Sequence, residues 1–255
     1  MATALITGPA TGIGRAFADK LATEGYDLVL VSRDEARLKE VAADLTRLHG
    51  VECEVLAADL TDSDDLARVE ERFTTGPIEV LVNNAGFGTN KPFWANPVEV
   101  EEKQLDLLVR VVLRLTHAAV LPMIERGSGA VINVSSVAGF LPRNAYSAHK
   151  AWVTNFSAGL AVELHAKGVA VMALCPGFVH TEFHERMGMD KTIIPSFMWL
   201  NADDLVDEAW KDLMRGKAIS IPSRRYKLLM TAARFTPRAL IARVSTVGLD
   251  GRRRA

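Results

Sequence analysis

Short apolar runs alternate with stretches of helical spacing along most of this 255-residue chain. The runs are rich in β-branched residues and short of polar ones, which is typical of strands buried on both faces of a sheet. They span Ala4 to Thr7, Leu28 to Val31, Glu54 to Ala57, Val80 to Val82, Ala130 to Val134, Val169 to Leu174 and Ala218 to Ile221. Between them, apolar residues recur every three or four positions in segments 15–24, 35–48, 64–73, 98–126, 146–167 and 202–215. This alternation predicts an α/β fold with a doubly wound parallel sheet of about seven strands.

The charge is unevenly distributed between the body of the chain and its end. Residues 223–255 carry nine Arg or Lys and a single acidic residue, Asp250, although the net charge of the whole chain is only −1. We find no internal repeat or linker. The sequence therefore predicts one dinucleotide-binding catalytic domain, residues 1–222, followed by a basic amphipathic extension, residues 223–255.

Cysteine and histidine are too sparse for a disulfide framework or a metal centre. The two cysteines, Cys53 and Cys175, form no CxxC pair. His180 and His184 are four residues apart, but Thr181 stands where a zinc protease would need Glu, so we expect no metal. The N-terminal sequence MATALITG does not resemble a secretory signal, and no uninterrupted apolar run reaches the roughly 18 residues of a membrane span. We expect a cytoplasmic protein.

A glycine-rich turn follows the first predicted strand and precedes a predicted helix. It reads Thr7-Gly8-Pro9-Ala10-Thr11-Gly12-Ile13-Gly14. Glycines allow a sharp turn and a close approach to a pyrophosphate, and the helix N-terminus adds amides and a favourable dipole. The order of strand, turn and helix predicts a dinucleotide site that uses Gly8, Thr11, Gly12, Ile13 and Gly14.

The second predicted strand ends in Ser32-Arg33. A site selective for NAD usually presents a carboxylate to the ribose at this point, whereas a 2'-phosphate calls for a guanidinium and small hydroxyl donors. The pair therefore favours NADP (NADPH) over NAD. The alternative is that Arg33 is a solvated residue at the start of a helix.

Tyr146 and Lys150 are four residues apart on one predicted helix, so their side chains emerge on the same face. An ammonium next to a phenol favours the phenolate and lowers the pKa of the tyrosine from about 10. The pair is suited to general acid/base chemistry with Tyr146 as proton donor and acceptor.

Six motifs, in order along residues 2–220, resemble those of the short-chain dehydrogenases/reductases, a family with a Rossmann-like fold. They are the glycine turn, Asp59, Asn83-Asn84-Ala85-Gly86, Ser135-Ser136, Tyr146-(x)3-Lys150 and Pro176-Gly177-Phe178-Val179-His180-Thr181. The resemblance implies an oxidoreductase that interconverts a carbonyl and an alcohol. It implies that Ser136 orients the substrate oxygen, Tyr146 transfers the proton and Lys150 bonds the nicotinamide ribose.

The same resemblance assigns further residues to the cofactor site. Asp59 would contact adenine, although it could instead be an N-cap, and Asn83 with Gly86 would shape the wall, although Asn83-Asn84 could be only a turn. Thr181 would bond the carboxamide or the phosphates. The implied cofactor wall comprises Asp59, Leu60, Asn83, Ala85, Gly86, Tyr146, Lys150, Pro176, Gly177, Val179 and Thr181.

Two features depart from the family pattern. The family commonly has an Asn in the middle of the long fourth helix, which completes a proton relay, and Leu108 occupies the matching position. Tyr146 comes only ten positions after Ser136, which shortens the loop Gly139 to Ala145 and implies a different substrate specificity.

The segment 178–200 corresponds to the family's variable substrate lid, and we refer to it as the lid segment. It is rich in aromatic and thioether side chains: Phe178, Phe183, Met187, Met189, Phe197, Met198 and Trp199. Such a lining suits a bulky apolar small-molecule substrate such as a steroid-like, fatty-acyl or retinoid ketone. The alternative is that these residues only pack the lid segment onto the body.

The basic extension places Leu240, Ile241, Val244 and Val247 at helical spacing. It could lie on an anionic membrane surface, or dock on the protein's own acidic body or on a sister subunit. Nothing in it resembles nucleic-acid readout. The family implies a homodimer or homotetramer that pairs through its long helices.

Three functions are compatible with these motifs. The first is a carbonyl reductase or alcohol dehydrogenase. The second is a non-catalytic cofactor-binding or redox-sensing module, against which the intact Ser136, Tyr146 and Lys150 argue. The third is an epimerase or dehydratase, which the lack of a separate substrate domain disfavours.

Overall fold

The computed structural model describes residues 2–89, 91–183, 187–188 and 194–235. Its strands are β1 (Thr3–Thr7), β2 (Asp27–Ser32), β3 (Cys53–Ala57), β4 (Val80–Asn83), β5 (Gly129–Val134), β6 (Val169–Leu174), β7 (Phe178–Val179), β8 (Trp199–Leu200) and β9 (Ile219–Ser220). Seven of them form one sheet in the order β3-β2-β1-β4-β5-β6-β9, and every pair is parallel. The predicted Rossmann-like doubly wound sheet is confirmed.

Helices cover both faces of this sheet. They are α1 (Gly12–Thr23), α2 (Glu35–His49), α3 (Ser63–Thr75), α4 (Val98–Leu105), α5 (Val111–Arg126), α6 (Ala145–Leu164), α7 (Ala202–Met214) and α8 (Arg224–Phe235). Neighbouring residues of β1 point to opposite faces, as a strand requires: Ile6 joins the core under α1, α2 and α7, and Leu5 joins the core under α3 and α5. Both side chains are fully buried.

The strand order reverses between β1 and β4. From β1 the chain proceeds outward to β2 and β3, then returns to the other side of β1 with β4 and continues to β5, β6 and β9. In open parallel sheets the crevice at such a switch point, beyond the carboxyl ends of the strands, is where ligands bind. The glycine turn after β1 and the Asn83-Asn84 turn after β4 flank this crevice.

One continuous helical stretch, Val98–Arg126, contains α4, a π-helical turn at Asp106–Arg110 and α5. Length and hydropathy alone would let it cross a membrane. In the fold one side of it packs on the sheet, where Val111, Leu115, Ala119 and Met123 are buried.

The start of the basic extension is helical and packs on the domain. Lys227 on α8 forms an ion pair of 2.5 Å with Glu208 on α7. For residues 224–235 the structure therefore favours docking on the protein's own body, the second of the arrangements considered from the sequence. The predicted apolar stripe from Leu240 to Val247 lies outside the described residues.

Candidate active site

The turn after β1 has a backbone that only glycine accommodates well. Gly8 and Gly12 have φ angles of +68° and +57°, in the left-handed region. At Gly14 a Cβ atom would lie 2.1 Å from the Gly8 carbonyl oxygen, so a side chain at this position would force the turn apart. The amides at the start of α1 are thus held at the crevice, as a pyrophosphate site requires.

Thr7 and Asn84 join this turn to the one after β4. The Asn84 Nδ2 atom donates to the carbonyl oxygens of Thr7 at 2.9 Å and Gly8 at 3.0 Å. The Thr7 hydroxyl accepts from the backbone N–H groups of Asn84 and Ala85, both at 2.9 Å. Asn84 therefore sets the shape of the cofactor crevice, a role that sequence reasoning did not assign to it.

The side chain of Asn83 turns into the core instead. Its Nδ2 atom donates to Asn133 at 2.8 Å and to Thr116 at 3.1 Å, and Asn133 donates to Ser157 at 2.9 Å. These buried groups connect β4, β5, α5 and α6. Asn83 therefore supports the cofactor wall from behind, and its side chain does not face the crevice.

Leu60 and Val179 are likewise core residues, with only 4% and 2% of their surface exposed. Their side chains pack into the two hydrophobic clusters on either side of the sheet. Ile13 also packs against one of these clusters. Only the backbone of such residues is placed to line the crevice.

The end of β2 fits an incoming ribose or phosphate. The Ser32 hydroxyl oxygen is buried and has no hydrogen-bond partner within the described part of the chain. Arg33 beside it has 78% of its side chain exposed. A buried hydroxyl without a partner is costly unless a ligand satisfies it, so this corner has the donors that a nucleotide phosphate would use.

Asp59 lies across from Arg33, with 4.0 Å between their nearest charged atoms. Its Oδ1 atom accepts from the N–H of Thr61 at 3.0 Å and from the Thr61 hydroxyl at 2.8 Å. Burial opposes ionisation of Asp59, but the bonds from Thr61 and the charges of Arg33 and Lys103 together outweigh it and hold the carboxyl pKa below its usual value. The N-cap of α3 is Asp62, so the N-cap alternative for Asp59 is wrong.

The opposite wall of the crevice comes from the segment after β6. The Thr181 methyl group lies against Gly12, where it would be 2.7 Å from an added Cβ. The Pro176 carbonyl accepts from the N–H of Val137 at 3.0 Å, which ties this wall to the residues that follow Ser136. The segment after β4 and the segment after β6 therefore both border the glycine turn.

Tyr146 and Lys150 are held by the cap of α6. The Asn144 Oδ1 atom accepts from the N–H of Ser147 at 3.0 Å, so the helix begins at Ala145 and Tyr146 lies in its first turn. Ser136 caps a short 3₁₀ turn by accepting from the N–H of Ala138 at 3.1 Å. The Ser136 side chain also lies near the Tyr146 phenol, whose pKa it lowers. Ser136, Tyr146 and Lys150 thus meet at the crevice, as predicted.

The pKa of Tyr146 differs from what its spacing to Lys150 predicts. The Lys150 ammonium donates to the Val134 carbonyl oxygen at 2.7 Å and lies 5.7 Å from the centre of the Tyr146 ring. Burial raises the pKa of Tyr146 to about 12, and the nearby Ser136 side chain only partly opposes this. Burial also lowers the pKa of Lys150 to about 8. The predicted lowering of the tyrosine pKa is therefore wrong, because burial disfavours the charged phenolate.

Comparison with known proteins decides the family. The family profile for short chain dehydrogenases matches residues 2–192. The chain belongs to the short-chain dehydrogenase/reductase family. The resemblance drawn from the six motifs is confirmed.

Solved structures of this family are similar over almost the whole chain. A short-chain dehydrogenase from Sphingobium yanoikuyae in complex with NADPH is 37% identical, with a TM-score of 0.85 over 92% of this chain and 94% of that one. The bulky-bulky ketone specific alcohol dehydrogenase from Comamonas testosteroni is 32% identical, with a TM-score of 0.79 over 92% of both chains.

Curated relatives include a very-long-chain 3-oxoacyl-CoA reductase from Anas platyrhynchos. It is 35% identical over 204 residues, which are 77% of this chain and 64% of the relative. The chain therefore spans less than two thirds of that protein's length.

Ser135 and Ser136 are adjacent in the sequence, but their side chains have different surroundings. The Ser135 hydroxyl is buried and lies 2.7 Å from the Lys150 carbonyl oxygen and 2.7 Å from the Thr154 hydroxyl. Ser136 lies near Tyr146 instead and lowers its pKa. Ser135 therefore holds the backbone behind Lys150, whereas Ser136 lies beside the phenol.

Leu108, at the family's usual Asn position, is 1% exposed and lies in the π-helical turn. Its Cδ2 atom would be 2.9 Å from a Cβ on Gly86, so it packs closely on the wall after β4. An apolar side chain fills this place, and it cannot donate or accept a proton.

The described parts of the lid segment divide into two groups. Phe183 faces the site, with its ring centre 6.1 Å from that of Tyr146, and Met187 contacts Gly88 on the opposite loop. Phe178 and His180 pack on Trp199 at 5.7 Å and 5.0 Å, within the β7–β8 pair. Phe183 is therefore the one of these residues that lies beside Tyr146.

Some sequence-based expectations lie outside the described residues, namely those on His184 and Met189. Across the ranges that the structure describes, no group of three or more His, Cys, Asp or Glu residues is arranged to hold a metal ion.

Proposed function

We propose that the protein is an NADP(H)-dependent reductase of ketones, with Tyr146 as the proton donor. One observation carries this proposal: Ser136, Tyr146 and Lys150 meet at the carboxyl edge of the sheet, beside a glycine turn that admits a pyrophosphate. Bound NADPH would supply the hydride, and the protein would position the substrate and provide the proton.

The hydrogen-bonding groups suggest how the proton moves. The Ser136 hydroxyl can hold the substrate oxygen next to the Tyr146 phenol, which donates its proton as the carbonyl becomes an alcohol. The Lys150 ammonium, anchored on the Val134 carbonyl at 2.7 Å, supplies positive charge behind the phenol. With a pKa of about 12, Tyr146 is protonated at neutral pH and can therefore act as the proton donor.

The cofactor preference rests on the end of β2. The unpartnered Ser32 hydroxyl and the exposed Arg33 guanidinium together suit a 2'-phosphate better than a bare ribose. The Sphingobium relative was solved with NADPH, which agrees with this preference. NAD remains the less favoured cofactor.

A bulky apolar ketone is the substrate class that we propose. Phe183 of the lid segment lies beside Tyr146, so a substrate at Tyr146 would contact an aromatic ring. Met187 adds an apolar thioether against Gly88. Two relatives are named for such compounds, one for bulky-bulky ketones and one for very-long-chain 3-oxoacyl-CoA. Phe178 and Trp199 support the lid by packing on each other.

We further propose a cytoplasmic homo-oligomer, a dimer or a tetramer. Exposed leucines on the long helix, Leu105, Leu113 and Leu121, together with Val162 on α6, offer an apolar surface for self-association. Peripheral membrane contact through the extension is a second proposal, supported by its basic residues and by the exposed Leu228 and Leu229 of α8. Light scattering and salt-dependent vesicle pelleting test the two separately.

A substrate panel tests the proposed activity. Purified protein is assayed with NADPH and with NADH against small aliphatic, diaryl, steroid and 3-oxoacyl ketones, and cofactor binding is measured in parallel. We expect turnover with NADPH and the highest kcat/KM for bulky ketones. Tight NADPH binding without turnover of any carbonyl would favour the cofactor-binding module, for which Leu108 in place of a polar relay residue is the supporting observation.

A further inference from the structure

Tyr226 of α8 is buried beneath the wall that follows β6. Only 2% of its surface is exposed. A Cβ atom on Gly177 would lie 2.0 to 2.4 Å from three carbons of the ring, so glycine at position 177 makes room for it. The phenol end of Tyr226 thus rests on the backbone of the Pro176-Gly177 turn.

The Tyr226 hydroxyl bonds to the lid segment at two places, at the start of β7 and just before β8. It accepts from the N–H of Phe178 at 3.0 Å and donates to the carbonyl oxygen of Met198 at 2.8 Å. Phe178 begins β7, and Met198 directly precedes β8, which pairs with β7. One oxygen atom therefore links the two ends of the lid segment, on the strand pair that carries Thr181 and Phe183 into the site.

Contacts at its first residues hold α8 in place. Within the described part of the chain, Ser223 is the only residue other than glycine with a positive φ, at +81°. Such a conformation is unfavourable for serine and persists only where surrounding contacts impose it. Here the N–H of Ser223 donates to Glu208 at 2.9 Å, and Lys227 pairs with the same carboxylate.

Glu208 remains charged beneath these contacts. Burial opposes its ionisation, but the bonds from Lys227 and from the Ser223 N–H outweigh it and hold the Glu208 pKa below its usual value. Arg225 adds a hydrogen bond to the Phe197 carbonyl. Helix α8 is thus fixed to α7 on one side and to the lid segment on the other.

We infer that Tyr226, which lies in the basic extension, is a positioning residue for substrate binding. Its hydroxyl holds β7 and β8 in register against the cofactor wall. It thereby sets the position of Phe183 next to Tyr146. The inference rests on the proposed function in treating Phe183 as part of the substrate site. The hydroxyl bridge itself does not depend on that function.

Removing the hydroxyl while keeping the ring isolates this role. In Tyr226→Phe the ring still fills the space over Gly177, but the Phe178 N–H and the Met198 carbonyl lose their common partner, which makes local opening easier. We expect KM for a bulky ketone to rise by about fivefold or more, with kcat within about twofold, because Ser136, Tyr146 and Lys150 are untouched. KM for a small aliphatic ketone should change less.

Hydrogen exchange on the full chain provides the decisive readout, with Tyr26→Phe as the matched control. Tyr26 packs edge-on against Trp210 on the α7 side of the sheet. We expect Tyr226→Phe to speed amide exchange by about fivefold or more in residues 178–183 and 196–200, and Tyr26→Phe to leave them unchanged. Wild-type exchange there, or equal acceleration throughout the sheet, would overturn the inference.

Two further measurements keep the inference separate from the proposed function. Exchange is measured with and without NADPH and needs no turnover, so a protein that reduces no ketone still yields a result. Should Tyr226→Phe fail to fold, Lys227→Gln is expected to give the same regional acceleration by loosening α8 from Glu208. Unchanged exchange in that variant would then count against the positioning role.

Discussion

The Lys150 side-chain nitrogen lies 2.7 Å from the carbonyl oxygen of Val134. This bond connects the helix that carries Tyr146 to the strand that leads into Ser136. It holds the ammonium 5.7 Å from the centre of the Tyr146 ring, close enough to influence the phenol without bonding to it. The charge state of Lys150 should therefore govern activity near neutral pH.

The first prediction concerns this pH dependence. The pKa of Lys150 is lowered to about 8, so it is an ammonium below pH 8 and a neutral amine above, whereas Tyr146, with a pKa of about 12, stays protonated throughout. We expect kcat/KM for ketone reduction to be level up to about pH 7 and to fall about tenfold per pH unit well above pH 8.

Lys150→Arg is the control for that profile. A guanidinium remains charged across this range, so any residual activity of the variant should not fall near pH 8. If kcat/KM of Lys150→Arg also fell with a midpoint near pH 8, the titrating group would not be Lys150.

The second prediction concerns the glycine turn. In Gly14→Ala the new methyl group would lie 2.1 Å from the Gly8 carbonyl oxygen, so we expect NADPH affinity to fall by about 100-fold or more. Gly159→Ala is the matched control, since no atom lies within 4 Å of its added Cβ and it sits inside α6. That variant should bind NADPH normally and be slightly more stable, by about 0.5–1 kcal/mol. Calorimetric titration and thermal unfolding measure both effects.

The third prediction concerns cofactor choice. Arg33→Asp should weaken NADPH binding by about tenfold or more while affecting NADH little, because the carboxylate would repel a 2'-phosphate. Arg47→Asp makes the same charge change on the other end of α2, where Arg47 pairs with Asp44 at 3.1 Å. If both variants change the ratio of kcat/KM with NADPH to kcat/KM with NADH equally, the effect comes from long-range electrostatics and Arg33 has no specific role.

The fourth prediction separates positioning from stability at the catalytic helix. Asn144→Ala removes the side-chain cap of α6. Asn201→Ala removes that of α7, where the Asn201 Oδ1 atom accepts from the backbone N–H groups of Asp203 and Asp204. Each should cost about 1 kcal/mol of folding free energy. Only Asn144→Ala should also lower kcat, by several-fold, because Tyr146 lies in the first turn of α6. Equal kcat values in both variants would contradict this.

Sequence periodicity predicted the fold well because the strands are short, apolar and buried on both faces. The predicted run Val169 to Leu174 coincides with β6, and the predicted run Leu28 to Val31 lies within β2. The π-helical turn at Asp106–Arg110 left no periodic signal, since both flanking segments continue the same helix.

The sequence predicted which motifs form the site, but it did not predict the contacts that shape the site. Helical spacing placed Tyr146 beside Lys150, yet spacing contains no information on burial or on the Val134 carbonyl that takes the ammonium. The direction of the tyrosine pKa was therefore wrong. Tyr226 was overlooked because its partner Phe178 is 48 residues away, and only the folded chain brings them together.

Ketone reduction by Tyr146→Phe tests the central claim most directly. The substitution removes one oxygen atom and should leave NADPH affinity within about twofold of wild type, while kcat/KM falls by about 100-fold or more at pH 7. Normal NADPH binding with near wild-type kcat/KM would contradict the assignment of Tyr146 as the proton donor.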